Sequence, residues 1–337
     1  MIEVNHLVKK YGNHYAVNDV SFTVEKGKIY GLLGPNGAGK STCMNIMTGY
    51  IAATGGEVKV NGFDIVKEAE KAKRHIGYLP ELPPLYQDMT VWEYLYFVAE
   101  LKKVKKAERH QEVETVMKKT FISDMKNRLI KNLSKGYKQR VGLAQAMLGN
   151  PEVIILDEPT VGLDPKQILE IRELILSLKE EHAVILSSHI LSEVSVVCDE
   201  IMIISKGKMI ACDTPEGLSH MMQGEDTLIL TVKGKEDDLK NVLSAIGEIA
   251  SYKIENETEG ELVSAEVKID SGVEIRETLF GLLADNNMPI FEMKFSNKSL
   301  EDIFLELTSS EIDLSKLNSG EETEHEITEE NTEEVKA

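Results

Sequence analysis

The chain has little of what marks several protein classes. Of its 337 residues only three are cysteine, Cys43, Cys198 and Cys212, scattered and without a CxxC pair. That spacing excludes a disulfide framework or a zinc site as the organising device and suits reduced thiols. No apolar run approaches the roughly 20 residues that cross a bilayer. The runs at residues 153–156 and 183–186 are strand-sized, so any service to a membrane must come by docking to another chain. The start, Met-Ile-Glu-Val-Asn, has no basic segment leading into an apolar one, and no signal peptide is expected. Positive charge is scarce too: 38 Lys and Arg against 57 Asp and Glu give a formal net charge of −19. Nothing in that balance offsets repulsion from a phosphate backbone, so no nucleic-acid partner is expected. A tight anion pocket is not excluded, because local amides and one lysine suffice.

What is present is an ordinary globular composition, 42% hydrophobic and 28% charged, with length for two domains and a sizeable core. Residues 1–220 alternate short β-branched runs with helical patterns, which predicts an α/β fold with a mostly parallel sheet covered by helices. Strands are expected at 29–33, 153–156, 184–187 and 201–204, where continuous apolar runs suit burial on both faces. Residues 91–125, rich in Glu, Lys, Leu and Ala, read as helical. From residue 224 the pattern becomes α+β, with strands at 227–232, 262–269 and 290–295. Helices are expected there at 237–246, 273–284 and 300–307, compatible with a small ferredoxin-like domain over 224–309. Residues 310–337 are nearly free of apolar side chains and crowded with Glu321, Glu322, Glu324, Glu326, Glu329, Glu330, Glu333 and Glu334. A segment of this kind cannot offset its chain entropy by burial, so a disordered acidic tail is expected.

The segment Gly34-Pro35-Asn36-Gly37-Ala38-Gly39-Lys40-Ser41 matches G-x-x-x-x-G-K-[ST] throughout, after an expected strand and before a helix beginning at Thr42. Glycines let the backbone aim N–H groups inward as an anion nest, and the helix start adds partial positive charge. Lys40 supplies a full charge for the β and γ phosphates, and the Ser41 hydroxyl suits Mg²⁺. This is a nucleoside triphosphate site. Further on, an apolar strand runs into Asp157-Glu158-Pro159. At the carboxyl end of a parallel strand, Asp157 falls near the metal, holding it directly or through water, and Glu158 can take a proton from an attacking water. Taken alone, the pair reads equally as acids capping a strand at its exit to solvent.

Together with four further segments these residues resemble the nucleotide-binding subunit of ABC transporters, a P-loop NTPase core with a helical subdomain. Leu133-Ser134-Lys135-Gly136-Tyr137 resembles the family's LSGGQ signature, with Lys135 for a glycine and Tyr137 for the glutamine. Ser134 suits the N-cap of the helix that follows. The resemblance implies that Ser134, Gly136 and that helix start contact ATP held by an opposite subunit. Gly162-Leu163-Asp164-Pro165 matches the D-loop at the dimer interface, and Ser187-Ser188-His189 matches the switch histidine on the γ-phosphate. Tyr11 stands where the family stacks an aromatic on adenine. Glu81 takes the place of the glutamine that ligates Mg²⁺; Gln87 is the other candidate, with a poorer spacing. The resemblance therefore implies an ATPase using ATP and Mg²⁺, paired with a second copy or a paralogue. A separate polytopic permease would hold it at the cytoplasmic face of the membrane. Trp92 and Tyr94 fall in the stretch where the family engages its permease, which implies interface anchors, with packing within the helical subdomain as the other reading. Residues 299–308 are similar to the ending of ATPases serving drug, polysaccharide and gliding-motility exporters, or form an ordinary packing helix. Two alternatives stand beside this reading: an ABC ATPase acting on ribosomes or DNA, and a module that binds ATP without hydrolysing it. The single core and absent basic stripe count against the first, the Asp157–Glu158 pair and His189 against the second.

Overall fold

The computed structural model describes residues 1–221, 225–256, 262–270, 273–296 and Phe304. The chain opens with β1 (Ile2–Tyr11), β2 (His14–Val24), β3 (Ile29–Leu33), α1 (Lys40–Met47), β4 (Gly55–Val60), β5 (Phe63–Asp64), α2 (Ala69–Arg74) and β6 (Ile76–Leu79). A helical segment follows, α3 (Val91–Leu101), α4 (Arg109–Lys119) and α5 (Lys135–Met147). Sheet and helix then alternate through β7 (Val153–Leu156), α6 (Pro165–Leu178), β8 (Ala183–Ser188), α7 (Leu191–Val194), β9 (Glu200–Ser205), β10 (Lys208–Asp213) and α8 (Pro215–Met221).

Two sheets build this part. The central one has six strands in the order β10-β9-β3-β8-β7-β6, parallel except for β10 at its edge. The other is antiparallel, in the order β2-β1-β4-β5, an addition to the mostly parallel pattern legible in the sequence. Their packing explains why the central strands are continuously apolar. In β7, Val153 and Ile155 enter the core shared with the antiparallel sheet, while Ile154 and Leu156 enter the core under the helices. β3 divides likewise, Tyr30 and Leu32 to one side and Ile29 and Leu33 to the other. Alternate side chains point to opposite faces and both faces are dry, so no polar position is left. Each fully buried Leu or Ile contributes about 1.5–3 kcal/mol.

The helical stretch expected over 91–125 is two helices. α3 ends at Leu101, Lys103 turns to φ 61°, and the Val104 amide reaches back to the Ala99 carbonyl at 3.0 Å while Lys103 bonds Glu100 at 3.0 Å. This is a Schellman ending built without the usual glycine, so composition gave no sign of it.

The second part carries β11 (Glu225–Lys233), α9 (Glu236–Ser244), β12 (Ile249–Asn256), β13 (Leu262–Asp270), α10 (Arg276–Asp285) and β14 (Ile290–Ser296). Its sheet is antiparallel in the order β12-β13-β11-β14, the split β-α-β arrangement of ferredoxin-like units. One face packs Leu228, Leu230, Val232, Val263 and Val267 against Leu239, Leu243, Leu279 and Leu283 of the helices. β12 has no counterpart in the sequence reading. It is an edge strand with a register shift after Ile249, and that shift breaks its alternation. The expected helix at 300–307 and the expected disordered tail at 310–337 lie outside the described residues, apart from Phe304, which packs on the first part's helical core.

Candidate nucleotide site

The phosphate loop leaves β3 and feeds α1, which begins at Lys40. Gly39, the residue before it, stands at φ 112°, and a Cβ there would collide with the Ala16 carbonyl, so only glycine fits. No side chain caps this helix start and its first turn carries no acid. Its leading amides are therefore kept for an anion. Lys40 is buried; its ammonium donates to the Gly34 carbonyl at 2.7 Å and the Pro35 carbonyl at 3.3 Å, and lies 3.8 Å from Glu158 Oε1. Burial pushes its pKa down, with Glu158 and Asp157 opposing that shift.

The two acids follow from the register. β7 and β8 run parallel with Leu156 opposite Leu186, which sets Asp157 and Glu158 beside Ser187. The Ser187 hydroxyl donates to Asp157 Oδ1 at 2.6 Å and accepts from the Glu158 amide at 2.9 Å. The Asp157 amide donates to the Leu79 carbonyl of β6 at 2.8 Å. Glu158 adopts φ 47°. Among the described residues nine non-glycine positions have positive φ, and Glu158 alone of them is buried. Left-handed backbone costs a non-glycine residue about 1–2 kcal/mol. His189 Nδ1 lies 3.0 Å from Glu158 Oε2 and 3.2 Å from Oε1. Nδ1 is therefore the ring nitrogen turned to the carboxylate, and Nε2 points away from it.

A cavity of about 400 Å³ gathers Asn36, Gly37, Gly39, Lys40, Ser41, Thr42, Glu81, Glu158 and His189, with Ala16 and Val161 on its wall. Gly34, Pro35 and Ala38 shape the loop from behind: two give carbonyls to Lys40, and the Ala38 amide donates to Pro35 at 3.1 Å. Glu81 is on the lining and exposed, whereas Gln87 is not on it and donates to the Leu85 carbonyl at 3.4 Å. Sequence reasoning missed Ala16, Val161 and the bridging role of Ser187. The only available signal for Ser187 was a hydroxyl at the end of an apolar run.

The remaining candidates lie elsewhere. Tyr11 is half exposed at the end of β1, with the Lys9 ammonium 5.1 Å over its ring. Ser134 caps α5 by accepting from the Tyr137 amide at 3.4 Å, and Asp164 caps α6 by accepting from the Gln167 amide at 2.9 Å. Those two helix starts touch. A Cβ on Gly136 would strike Gln167, and Lys135 lies across Gly162. Of the signature's departures, Lys135 thus fills space over the second loop, and the Tyr137 hydroxyl donates to Asp124 at 3.4 Å. Tyr94 is buried and its hydroxyl donates to Gln145; Trp92 is partly buried on the helical core beneath the Lys126 ammonium.

The ABC transporter family profile matches residues 17–161. An uncharacterized ABC transporter ATP-binding protein of Bacillus subtilis, YhcH, is 36% identical over 310 residues, 91% of this chain and 96% of its own length. The linearmycin resistance ATP-binding protein LnrL of the same organism is 34% identical over 313 residues, covering 91% of this chain and 98% of that one. An ATP-binding cassette solved as a dimer in a post-hydrolysis state with ADP and Pi superposes with a TM-score of 0.59 at 25% identity, over 64% of this chain and 99% of that one. Among the described residues no helix is long and apolar enough to cross a membrane. The chain belongs to the ATP-binding subunits of ABC transporters, and it is an ATPase.

Proposed function

We propose that this ATPase works as a pair of cassettes beneath a separate polytopic permease, probing ATP with two surfaces that one chain keeps apart. The observation that carries this reading is the division of the candidate residues. Lys40, Ser41, Glu81, Glu158 and His189 share one cavity, while Ser134, Gly136 and Asp164 form a distinct ridge of two helix starts. A second copy or a paralogue would bring its ridge over the first chain's nucleotide, and Tyr11 would stack on the adenine.

Within the cavity, the loop amides and Lys40 bind the phosphates and neutralise charge that builds on the transferring group. Glu158 accepts a proton from the attacking water, held for that task by its backbone and by His189. His189 Nδ1 faces Glu158, so a γ-phosphate contact falls to Nε2. Ser41, Asp157 and Glu81 offer only oxygen donors, a hydroxyl and two carboxylates, which fits a hard divalent cation. Mg²⁺ bound there would shield the charge on the β and γ phosphates.

A cavity of about 540 Å³ beside β6, lined by Tyr50, Tyr78, Pro80, Leu82, Pro84 and Lys102, supports docking of the permease. Tyr50 and Leu82 are 80% and 76% exposed there, and aromatic side chains in such pockets anchor interfaces. Export is favoured by the likeness to a linearmycin resistance ATP-binding protein. The test is an affinity pull-down of tagged chain from detergent-solubilised native membranes. A polytopic membrane protein recovered in near-equal amount, lost on Leu82→Asp, supports the reading. Ribosomal proteins, or no membrane partner, would overturn it while leaving the ATPase intact.

A further inference from the structure

Ser187 is fully buried at the end of β8, and its hydroxyl is used on both sides. Asp157 Oδ1, at 2.6 Å, can only accept from it when ionised, so the hydroxyl proton points there. The lone pairs are then left for the Glu158 amide at 2.9 Å. The bonds thus run one way, from Glu158 N–H through the Ser187 hydroxyl to the Asp157 carboxylate. Among the described residues Glu158 is the one buried non-glycine at positive φ, and Pro159 after it narrows the backbone choices further. An amide in a dry turn needs a partner, and this one has no ladder bond to take.

We propose that Ser187 is a positioning residue for ATP hydrolysis: its hydroxyl locks Glu158 into the left-handed backbone geometry that aims its carboxylate, and keys that geometry to Asp157. The inference rests on Glu158 being the proton acceptor. Removing the hydroxyl leaves the Glu158 amide unpaired and frees its peptide to turn toward a commoner conformation. The carboxylate then leaves its place beside Lys40 and His189, while the loop amides that hold the nucleotide are untouched.

The test uses the full chain and compares basal ATPase rate, nucleotide affinity by titration with a fluorescent ATP analogue, and melting temperature. For Ser187→Ala, kcat should fall about 10- to 100-fold, the loss expected when a reacting group moves by about an ångström, with analogue affinity retained. Ser187→Thr, which keeps the hydroxyl, should recover most of the rate; Ser187→Cys, of similar size, should not. ATP-bound Ser187→Ala should also accumulate on gel filtration in the same species as Glu158→Gln, because binding outlasts hydrolysis in both. An unchanged kcat overturns the proposal. A joint fall of kcat, affinity and melting temperature also overturns it, since that is what a packing role predicts. Should the alanine variant fail to fold, the Thr and Cys pair decides alone. An active Glu158→Gln would instead remove the premise, and it is read separately.

Discussion

Helix α1 begins with its leading amides uncapped, whereas α5 and α6 begin on their own Ser134 and Asp164. Both regions are helix starts near the carboxyl edge of one sheet, yet they stand in opposite conditions. The first keeps its donors for an anion, at the cost of four amides without intrahelical partners. The second satisfies one of them in each helix within the chain, the Tyr137 amide on Ser134 and the Gln167 amide on Asp164. For Ser134 this is no bar to a later contact, because capping uses an oxygen lone pair and leaves the hydroxyl proton to donate. Asp164 differs: as an acceptor with a formal charge it would repel a phosphate, so in the proposed pair of cassettes it would face polar groups of the other chain.

The largest expected effect lies on the α1 side. Glu158→Gln should cut turnover by about 10²- to 10⁴-fold while ATP binding survives, read by phosphate release alongside equilibrium titration. Turnover at the unmodified rate would break the contrast between an assembled wall and a waiting ridge. Next comes Lys40→Met. Loss of a charged hydrogen bond worth about 1.5–3 kcal/mol should weaken ATP binding to the isolated chain by one to two orders of magnitude. Ser134→Ala sharpens the comparison from the other side. It should cost about 1 kcal/mol of stability through the lost cap, leave single-chain ATP binding unaltered, and lower turnover, checked by melting and by rate against chain concentration.

The smallest effect concerns Lys102, whose ammonium donates to the Ala146 and Leu148 carbonyls at 3.0 and 2.7 Å beneath the apolar cavity. Burial pushes its pKa down to about 8, with Glu112 opposing. In the unfolded chain the same lysine keeps its proton to about pH 10.4. Between those values the unfolded state binds more protons, so this group's contribution to stability rises with pH and is flat below pH 8. The melting temperature of the parent chain relative to Lys102→Met should therefore climb between pH 8 and 10. A constant difference would mean the ammonium stays charged in the fold.

What could be read from the sequence was what lies in consecutive residues. Gly34 to Ser41, the apolar approach to Asp157 and the N-cap at Ser134 each carry their physics locally, and the central strands announced themselves because both their faces are buried. Contacts made by register could not be read. Ser187 meets Asp157 across 30 residues only because β7 and β8 align Leu156 with Leu186. Residues without chemistry of their own, such as Ala16, gave no signal at all. The end of α3 was hidden for a different reason: Lys103 takes a conformation usually given to glycine. β12 was hidden by the register shift after Ile249, which takes its apolar residues Ile249, Tyr252 and Ile254 out of a single alternation.

The alternation of β7 has a bearing on precision. Val153 and Ile155 are gripped by one core, Ile154 and Leu156 by the other, and the strand then releases Asp157 and Glu158 at its tip. A beam clamped on both sides has little freedom to wander at its end. Thermal scatter of the two acids should therefore be small compared with that of His189, which sits beyond β8 with its side chain 40% exposed. A reacting group displaced by about an ångström loses rate steeply, so the fold places the positional certainty with the acids and leaves the histidine as the part that can respond.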